Sequence, residues 1–583
     1  MLYKKIADLY QQLENTSKRL EKTLLISQFL KEVPKEDIKE ITYLLQGRVF
    51  PQWDERKLGM SSQLLIKTIA KSTGESTSKI EQLWKKLGDL GDVAEQLSKN
   101  KKQITLFTKK LTLQKVLDNI TKITELEGQG TVNKKTGLIS ELLSYASPLE
   151  SKYIIRTVTE DLRTGIGDGT LRDALVWTFF PEIEGITIEG KETKEARQLY
   201  NEYSQELQHA FDMTTDFGLV AITLKEKGRK GLKELNLTVG KPLKVMLYQK
   251  VEDVIEGFEA VGKPAIIEPK IDGFRMQIHK KDNKITLYTR RLEDVTKQFP
   301  DVVESVKNNV KCDDFILDSE IVGFDSIKKR FVSFQQISQR IRRKHNIEEM
   351  IKKLPVVVNI FDAMEINGKN LINEPLQERR KLMQSIIKNK KHELELIEQL
   401  VTDDPKEAEE YYQDCLGKGH EGVMMKNLEG IYKPGSRVGF GVKVKPVMES
   451  LDLVITDADW GEGKRVAWLS SFTLACRDDD KLLQMGKVGT GIKEKSEEGL
   501  SFEQLTKELK PLIISEKGKS VKVKPKIIVE VYFEEIQKSP TYTSGFALRF
   551  PRVVRLRDDK SVSDISTIQE ITKLYNSQRG RHK

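Results

Sequence analysis

"AIIEPKIDGFRMQIHK", residues 265–280, places a lysine, Lys270, between an apolar run and a strand-like segment. Phe274, Met276 and Ile278 alternate with Arg275, Gln277 and His279, which is the period of a strand. Asp282-Asn283 then reads as a turn, after which Ile285 and Leu287 alternate with Thr286 and Tyr288. Lys270 therefore stands just ahead of a hairpin, with Glu268, Asp272, Gly273 and Arg275 around it. Taken alone, the pattern more readily describes a surface lysine at a strand start, balanced by nearby acids.

The chain around it has 583 residues, enough for several domains. It is 38% hydrophobic and 32% charged, polar but ample for several cores. The net charge of +10 permits a polyanionic partner, although evenly scattered lysines give the same total. Cys312, Cys415 and Cys476 lie far apart with no CxxC pair, which argues against a cysteine zinc module and a disulfide framework. No apolar run approaches the roughly 18 residues of a membrane helix. The N-terminus carries Ile6, Leu9 and Leu13 at helical spacing rather than a signal-peptide core. The expectation is a soluble, intracellular protein of the cytoplasm or nucleoid.

Texture divides the chain. Residues 1–240 read as helical: "SSQLLIKTIA" (61–70), "TGLISELLSYA" (136–146) and "EARQLYNEYSQELQHAF" (195–211) carry helical apolar spacing. Glycine punctuation falls at "GDLGD" (88–92), "GQG" (128–130) and "RTGIGDGT" (163–170). Such turns either stop helices or offer amides to phosphates. Gly240-Lys241-Pro242 reads as a linker. Residues 241–447 mix strands with helices such as "QERRKLMQSIIKN" (377–389). From 448 to 583 short strands with turn signals fit a small barrel.

Several central segments repeat the pattern of a charged or aromatic residue beside an apolar strand. "FILDSEIVGFD" (315–325) carries Glu320, and "VVVNIFDAMEING" (356–368) carries Phe361 and Asp362, read as a strand end. "GHEGVMMKN" (419–427) has Glu421 after a turn. "YKPGSRVGFGVKVKP" (432–446) has Arg437, then Lys443 and Lys445, which alternation sends to one face of a strand. Each alone is ordinary: strand glutamates usually face solvent, and alternating lysines usually mark a wet face.

In order, however, these segments resemble the motif set of the covalent nucleotidyltransferases, and the ATP-dependent DNA ligases of archaeal type in particular. "EPKIDGFR" is similar to that family's KxDGxR motif. "YTRRLEDVT" (288–296), "LDSEIVGFD", "NIFDAM", "GHEGVMMKN" and "VKVKP" follow in the family's order, and "RLRDDK" (555–560) supplies its RxDK. Outside this core, "RTGIGDGTLRDAL" (163–175) and "SPTYTSGFALRFPRVVRLRDDK" (539–560) also resemble archaeal ligase segments.

The resemblance implies a helical DNA-binding domain (1–240), an α+β adenylation domain (241–447) and a C-terminal OB-fold β-barrel domain (448–583). It implies nick sealing in duplex DNA through a lysyl-AMP intermediate, in replication, repair and recombination. Lys270 would be the nucleophile. A lysine amine attacks only when deprotonated, and burial with a neighbouring cation favours that form. Glu268 would help read the adenine amine, partly through its backbone, and Phe361 would stack on the base. Arg275, Arg290 and Arg437 would contact the nucleotide, where a guanidinium fork suits two oxygens. Lys443 and Lys445 would hold the α-phosphate as it becomes five-coordinate. Glu320 and Glu421 would hold Mg²⁺ or Mn²⁺, since hard cations prefer oxygen ligands; Glu320 would also touch the ribose. Arg557 and Lys560 would orient pyrophosphate when the barrel swings in, about a hinge at "PVMES" (446–450).

One position departs from the family. Ligases often have tryptophan two residues before the first lysine of "KxK"; here it is Gly441. "QITLFTKK" (103–110), with Gln103, Leu106 and Phe107, resembles a degenerate sliding-clamp binding box; the other reading is an ordinary loop whose apolar residues are core. "RTGIGDGT", Lys134-Lys135 and "QRIRRKHN" (339–346) are candidate phosphate contacts or solvated loops. A monomer encircling DNA is the family expectation. The competing readings are a capping guanylyltransferase or RNA ligase, disfavoured by the helical first domain, and an inactive DNA-binding scaffold, disfavoured by the intact charged set.

Overall fold

The computed structural model describes residues 1–54, 56–99, 110–128, 130–183, 194–325, 330–332, 334–341, 343, 346–446, 450–494 and 500–578. Gln103, Leu106 and Phe107, most of the expected hinge and part of "QRIRRKHN" lie outside these residues.

Among the described residues, the N-terminal region is helical, its first helix opening at Tyr3 and its last closing at Leu232. Ile6, Leu9 and Leu13 are buried along the first helix, Tyr3–Glu14, as their spacing requires. Glycines end helices here. Gly74 and Gly88 take left-handed C-cap geometry after Ser62–Thr73 and Thr77–Leu87, and Asp89 caps the next helix by accepting from the Asp92 amide at 2.8 Å. One apolar cluster runs through this whole region, from Tyr3 to Leu232.

The linker is held by the hairpin identified above. The Gly240 amide donates to His279 Nδ1 at 3.0 Å, and the Tyr288 hydroxyl donates to Gly240 O at 2.5 Å. Gln277 accepts from the Leu243 amide at 3.0 Å and donates to Leu243 O at 2.6 Å. Gln277 and His279, on the polar face of Phe274–Lys281, are therefore as buried as Met276 and Ile278, because this side packs on backbone that must be hydrogen-bonded.

Two sheets build the central region. The first runs Leu247–Val251, Arg437–Val444, Val423–Asn427, Ala265–Pro269, Leu400–Thr402. The second runs Lys284–Thr289, Phe274–Lys281, Phe315–Asp325, Val356–Ile366, Lys369–Asn370. The stretch 265–280 is the crossover: Ala265–Pro269 belongs to the first sheet and Phe274–Lys281 to the second. Asp282 and Asn283, at φ 49° and 64°, close the expected hairpin in the geometry its two-residue turn needs.

The C-terminal region is strand-rich. Leu451–Trp460 lies centrally in an antiparallel sheet, flanked by Leu469–Asp478 and, at its two ends, by Ser520–Val523 and Ile528–Tyr532. A separate hairpin pairs Glu535–Lys538 with Phe546–Arg549. All three cysteines are buried and free. Among the described residues, no helix is long and apolar enough to cross a membrane.

Candidate active site

Lys270 sits on the crossover between the two sheets. Its amide donates to Gly422 O at 2.8 Å, and its carbonyl accepts from the Glu421 amide at 2.7 Å. This reciprocal pair locks the lysine backbone to the turn carrying Glu421. The side chains meet as well: Lys270 Nζ lies 2.8 Å from Glu421 Oε2, and Lys445 Nζ lies 2.8 Å from the same oxygen. Gly273, three residues on, approaches the strand bearing Glu320 so closely that a Cβ would stand 2.3 Å from Ile321 O. Any other residue there would push Lys270 and Glu320 apart.

These groups wall a cleft of about 2280 Å³ that also receives Glu268, Arg275, Arg290, Phe361, Arg437 and Lys443. Lys443 and Lys445 both reach it, as alternation along the strand requires. Burial, then the neighbouring Lys445 and Lys270 charges, lower the Lys443 pKa. Burial pushes the Glu320 carboxyl up to about 8; Lys270 and Arg275 oppose the rise, and Glu421 adds to it.

Phe361 does not end a strand. It lies within Val356–Ile366, where Asp318 pairs with Asp362 and Ser319 with Ile360, so Phe361 is the extra residue of a bulge. Bulges re-aim side chains, and this one turns Phe361 into the cleft. The Arg275 guanidinium stands 5.2 Å and Lys426 Nζ 5.1 Å from its ring centre. The residue beside it, Asp362, is buried in an ion pair with Arg379 at 2.7 Å.

The cations divide by exposure. Arg290 and Arg437 are exposed on the cleft rim. Arg275 is committed: it forks onto buried Asp318, with Nε 2.9 Å from Oδ1, and donates to Met246 O at 2.7 Å and the Tyr432 hydroxyl at 3.1 Å. Glu268 is likewise engaged, by Lys426 at 2.5 Å and by Gln399 Nε2 at 2.6 Å. Asp318, Tyr432, Gln399 and Lys426 escaped the sequence reading because nothing local in the chain marks a partner that arrives from another strand.

Gly441 has a physical reason. A Cβ there would stand 2.3 Å from the Tyr248 ring, so the neighbouring strand's tyrosine fills the space. The tyrosine lines the cleft, and burial pushes its hydroxyl up to about 12.

The other regions contribute too. Arg56, Lys57 and Lys135 reach the cleft from the helical side, and Glu534, Arg549 and Phe550 from the strand-rich side. Lys445 lies 3.5 Å from Glu534, and Arg549 3.9 Å from Asp272. Arg557 and Lys560 are elsewhere: both bind Asp452, at 3.0 and 2.6 Å, and neither lines the cleft. Among the candidate phosphate contacts, Lys134 is exposed and Arg163 pairs with Asp89 at 3.0 Å. Arg340 is buried against Asp301 and the Phe299 ring, so it is a packing residue rather than a solvated cation.

Among the described residues, no group of three or more His, Cys, Asp or Glu side chains could hold a metal. A cleft with two carboxylates that feel each other's charge fits instead a hard cation whose shell is completed by phosphates and water.

The description "DNA ligase N terminus" matches residues 2–176, "ATP dependent DNA ligase domain" residues 245–445 and "ATP dependent DNA ligase C terminal region" residues 465–560. Together they define a nucleotidyltransferase core set between a helical and a strand-rich domain. The chain is 47% identical over 584 residues to a DNA ligase of Nanoarchaeum equitans, covering 100% of this chain and 99% of that one. It is 40% identical to DNA ligases of Thermococcus fumicolans, over 99% of both chains, and Methanopyrus kandleri, over 100% of both. The solved structure titled "Pmar-Lig_Pre." shares the fold, with a TM-score of 0.56 at 16% identity over 95% of this chain and 99% of that one. The chain belongs to the ATP-dependent DNA ligase family.

Proposed function

We propose that this chain seals nicks in duplex DNA with ATP, through AMP carried on Lys270. The observation that carries the reading is the Lys270 amine held 2.8 Å from Glu421 in a cleft shared with Glu320, Lys443 and Lys445. In the first step Lys270 Nζ attacks the α-phosphorus. The N–P bond forms, the P–O bond to pyrophosphate breaks, and the amine gives up a proton within hydrogen-bond reach of Glu421 Oε2. Lys443 and Lys445 stabilise charge on the phosphoryl oxygens. AMP then passes to the 5′-phosphate, and attack by the 3′-hydroxyl joins the strand and releases AMP.

Glu268, Arg275, Arg290, Glu320, Phe361, Arg437 and Lys443 form the nucleotide site. Arg275 acts within its Asp318 and Tyr432 network, and Phe361 offers its ring to the base. Glu320 and Glu421 would hold Mg²⁺ or Mn²⁺, which when bound would place positive charge beside Lys270 and favour its free amine. Divisions fall near residues 240 and 447, giving a DNA-binding, an adenylation and an OB-fold domain. The protein acts inside the cell as a monomer, in replication, repair and recombination, and meets a sliding clamp through Gln103, Leu106 and Phe107.

The test is incubation with α-labelled ATP and Mg²⁺ without DNA. Wild type takes up a stable label at Lys270 and then seals a nicked duplex; Lys270→Ala does neither. Label on another side chain, sealing by Lys270→Ala, or labelling by GTP in preference to ATP would overturn the reading. For the clamp, pull-down that is unaffected by Phe107→Ala would remove that contact.

A further inference from the structure

Glu268 is almost completely buried, as is Lys426, its partner at 2.5 Å. A carboxylate is acceptor-only and has about two lone-pair sites per oxygen. Oε2 receives Lys426, and Oε1 receives Gln399 Nε2 at 2.6 Å. The amide must present nitrogen here, because the carboxylate cannot donate. Gln399 is itself held on both sides: the Ile397 amide donates to Ile360 O at 2.9 Å, and Leu400 pairs with Ile267, the neighbour of Glu268. Ile397 lines the cleft beside Phe361. A further cation, Arg380, donates to Ile397 O at 2.6 Å and feels the Glu268 charge.

We propose that Gln399 is a specificity-determining positioning residue: it fixes Glu268 as a hydrogen-bond acceptor, so that the cleft takes a purine with a 6-amino group and rejects one with a 6-oxo group. With Oε1 and Oε2 each committed once, the remaining lone pairs of Glu268 can accept from an amine. A 6-oxo purine brings an acceptor against an acceptor, leaving both unpaired and desolvated. Without Gln399 the carboxylate is tethered only through Lys426 and can turn away from the base. The inference rests on the reading of Glu268 as the base-facing residue of the nucleotide site.

The probe is first-step labelling with ATP and with inosine triphosphate, which carries oxygen at C6 and a proton on N1 where ATP has a 6-amino group and a bare N1. The quantity read is the ratio of the two kcat/KM values within one preparation, which is independent of the fraction of folded protein. In Gln399→Met, and in Gln399→Leu as a second variant, the ratio is expected to fall about tenfold, chiefly through KM. In a Glu268→Gln background the same change at Gln399 is expected to leave the ratio where Glu268→Gln alone puts it. An unchanged ratio in the single variants would overturn the proposal, whether or not ATP kinetics move. So would an equal fall in the Glu268→Gln background, since Gln399 would then act by another route. Failure of wild type to label Lys270 would instead defeat the proposed function.

Discussion

In the central domain, Lys270, Lys443 and Lys445 project into the cleft; in the strand-rich domain, Arg557 and Lys560 turn back onto Asp452. Both sets belong to motifs of one family. The first set is assembled by strand register and by the backbone lock between Lys270 and the Glu421 turn, so it is in place before any nucleotide arrives. The second set is balanced by its own domain. All three guanidinium nitrogens of Arg557 are engaged, Nη1 by Asp452 and Nε and Nη2 by Asp559. It reaches a phosphate in the cleft only if the domain moves as a body, the mode expected of rigid modules about a short connection.

The largest effect expected from this contrast is at Lys270. Lys270→Ala should lower first-step labelling by at least about 10³-fold, read in a single turnover. A smaller loss would mean that the cleft's nucleophile lies elsewhere. Next is the pair beneath it. Asp318→Ala leaves Arg275 buried without its carboxylate and should destabilise the protein by about 3–5 kcal/mol, measured by urea unfolding. A loss below about 1 kcal/mol would show the guanidinium free to serve the nucleotide alone. Gly441→Ala drives a Cβ into Tyr248 and should cost about 1–3 kcal/mol, recovered when Tyr248→Ala is added.

The fourth comparison addresses the strand-rich side. Asp452→Ala frees Arg557 and Lys560 from their anchor; first-step labelling should slow about tenfold while sealing of a pre-adenylated nick is unchanged. Equal slowing of both would erase the distinction between the two cation sets. The last effect is at the linker and is set by pH. Burial holds His279 down to about 3, below its ordinary 6.5. Between those values the unfolded chain binds the extra proton, so stability is intact above about pH 6.5 and falls with acid by at most about 1.4 kcal/mol per pH unit. His279→Gln should flatten that slope in unfolding curves taken from pH 6.5 to 4.

Much of this was legible in the chain. Period-two alternation located the hairpin after Lys270 and sent Lys443 and Lys445 to one side, because strand geometry is local. Helical spacing at Ile6, Leu9 and Leu13 found a core face for the same reason. Phe361 was misread as a strand end because a bulge depends on the register of the facing strand, which the segment itself does not record. Arg340, in a segment that reads as a phosphate contact or a solvated loop, is neither, because its burial depends on Asp301 and Phe299. Gly441 looked like a loss until Tyr248, from a strand almost 200 positions earlier, was seen to occupy its space. Residue type announces chemistry; commitment to a partner is decided by strands that meet only in three dimensions.

The backbone clasp between Lys270 and the Gly422 turn carries a last consequence. A nitrogen anchored in that way can travel only as far as its four methylenes swing. On the proposed function the reaction centre is therefore stationary, and every reactant must be ferried to it: the triphosphate by diffusion, the broken strand by whatever grips the duplex. That function then asks mobility only of the outer modules, with the seam between the two sheets as their anvil.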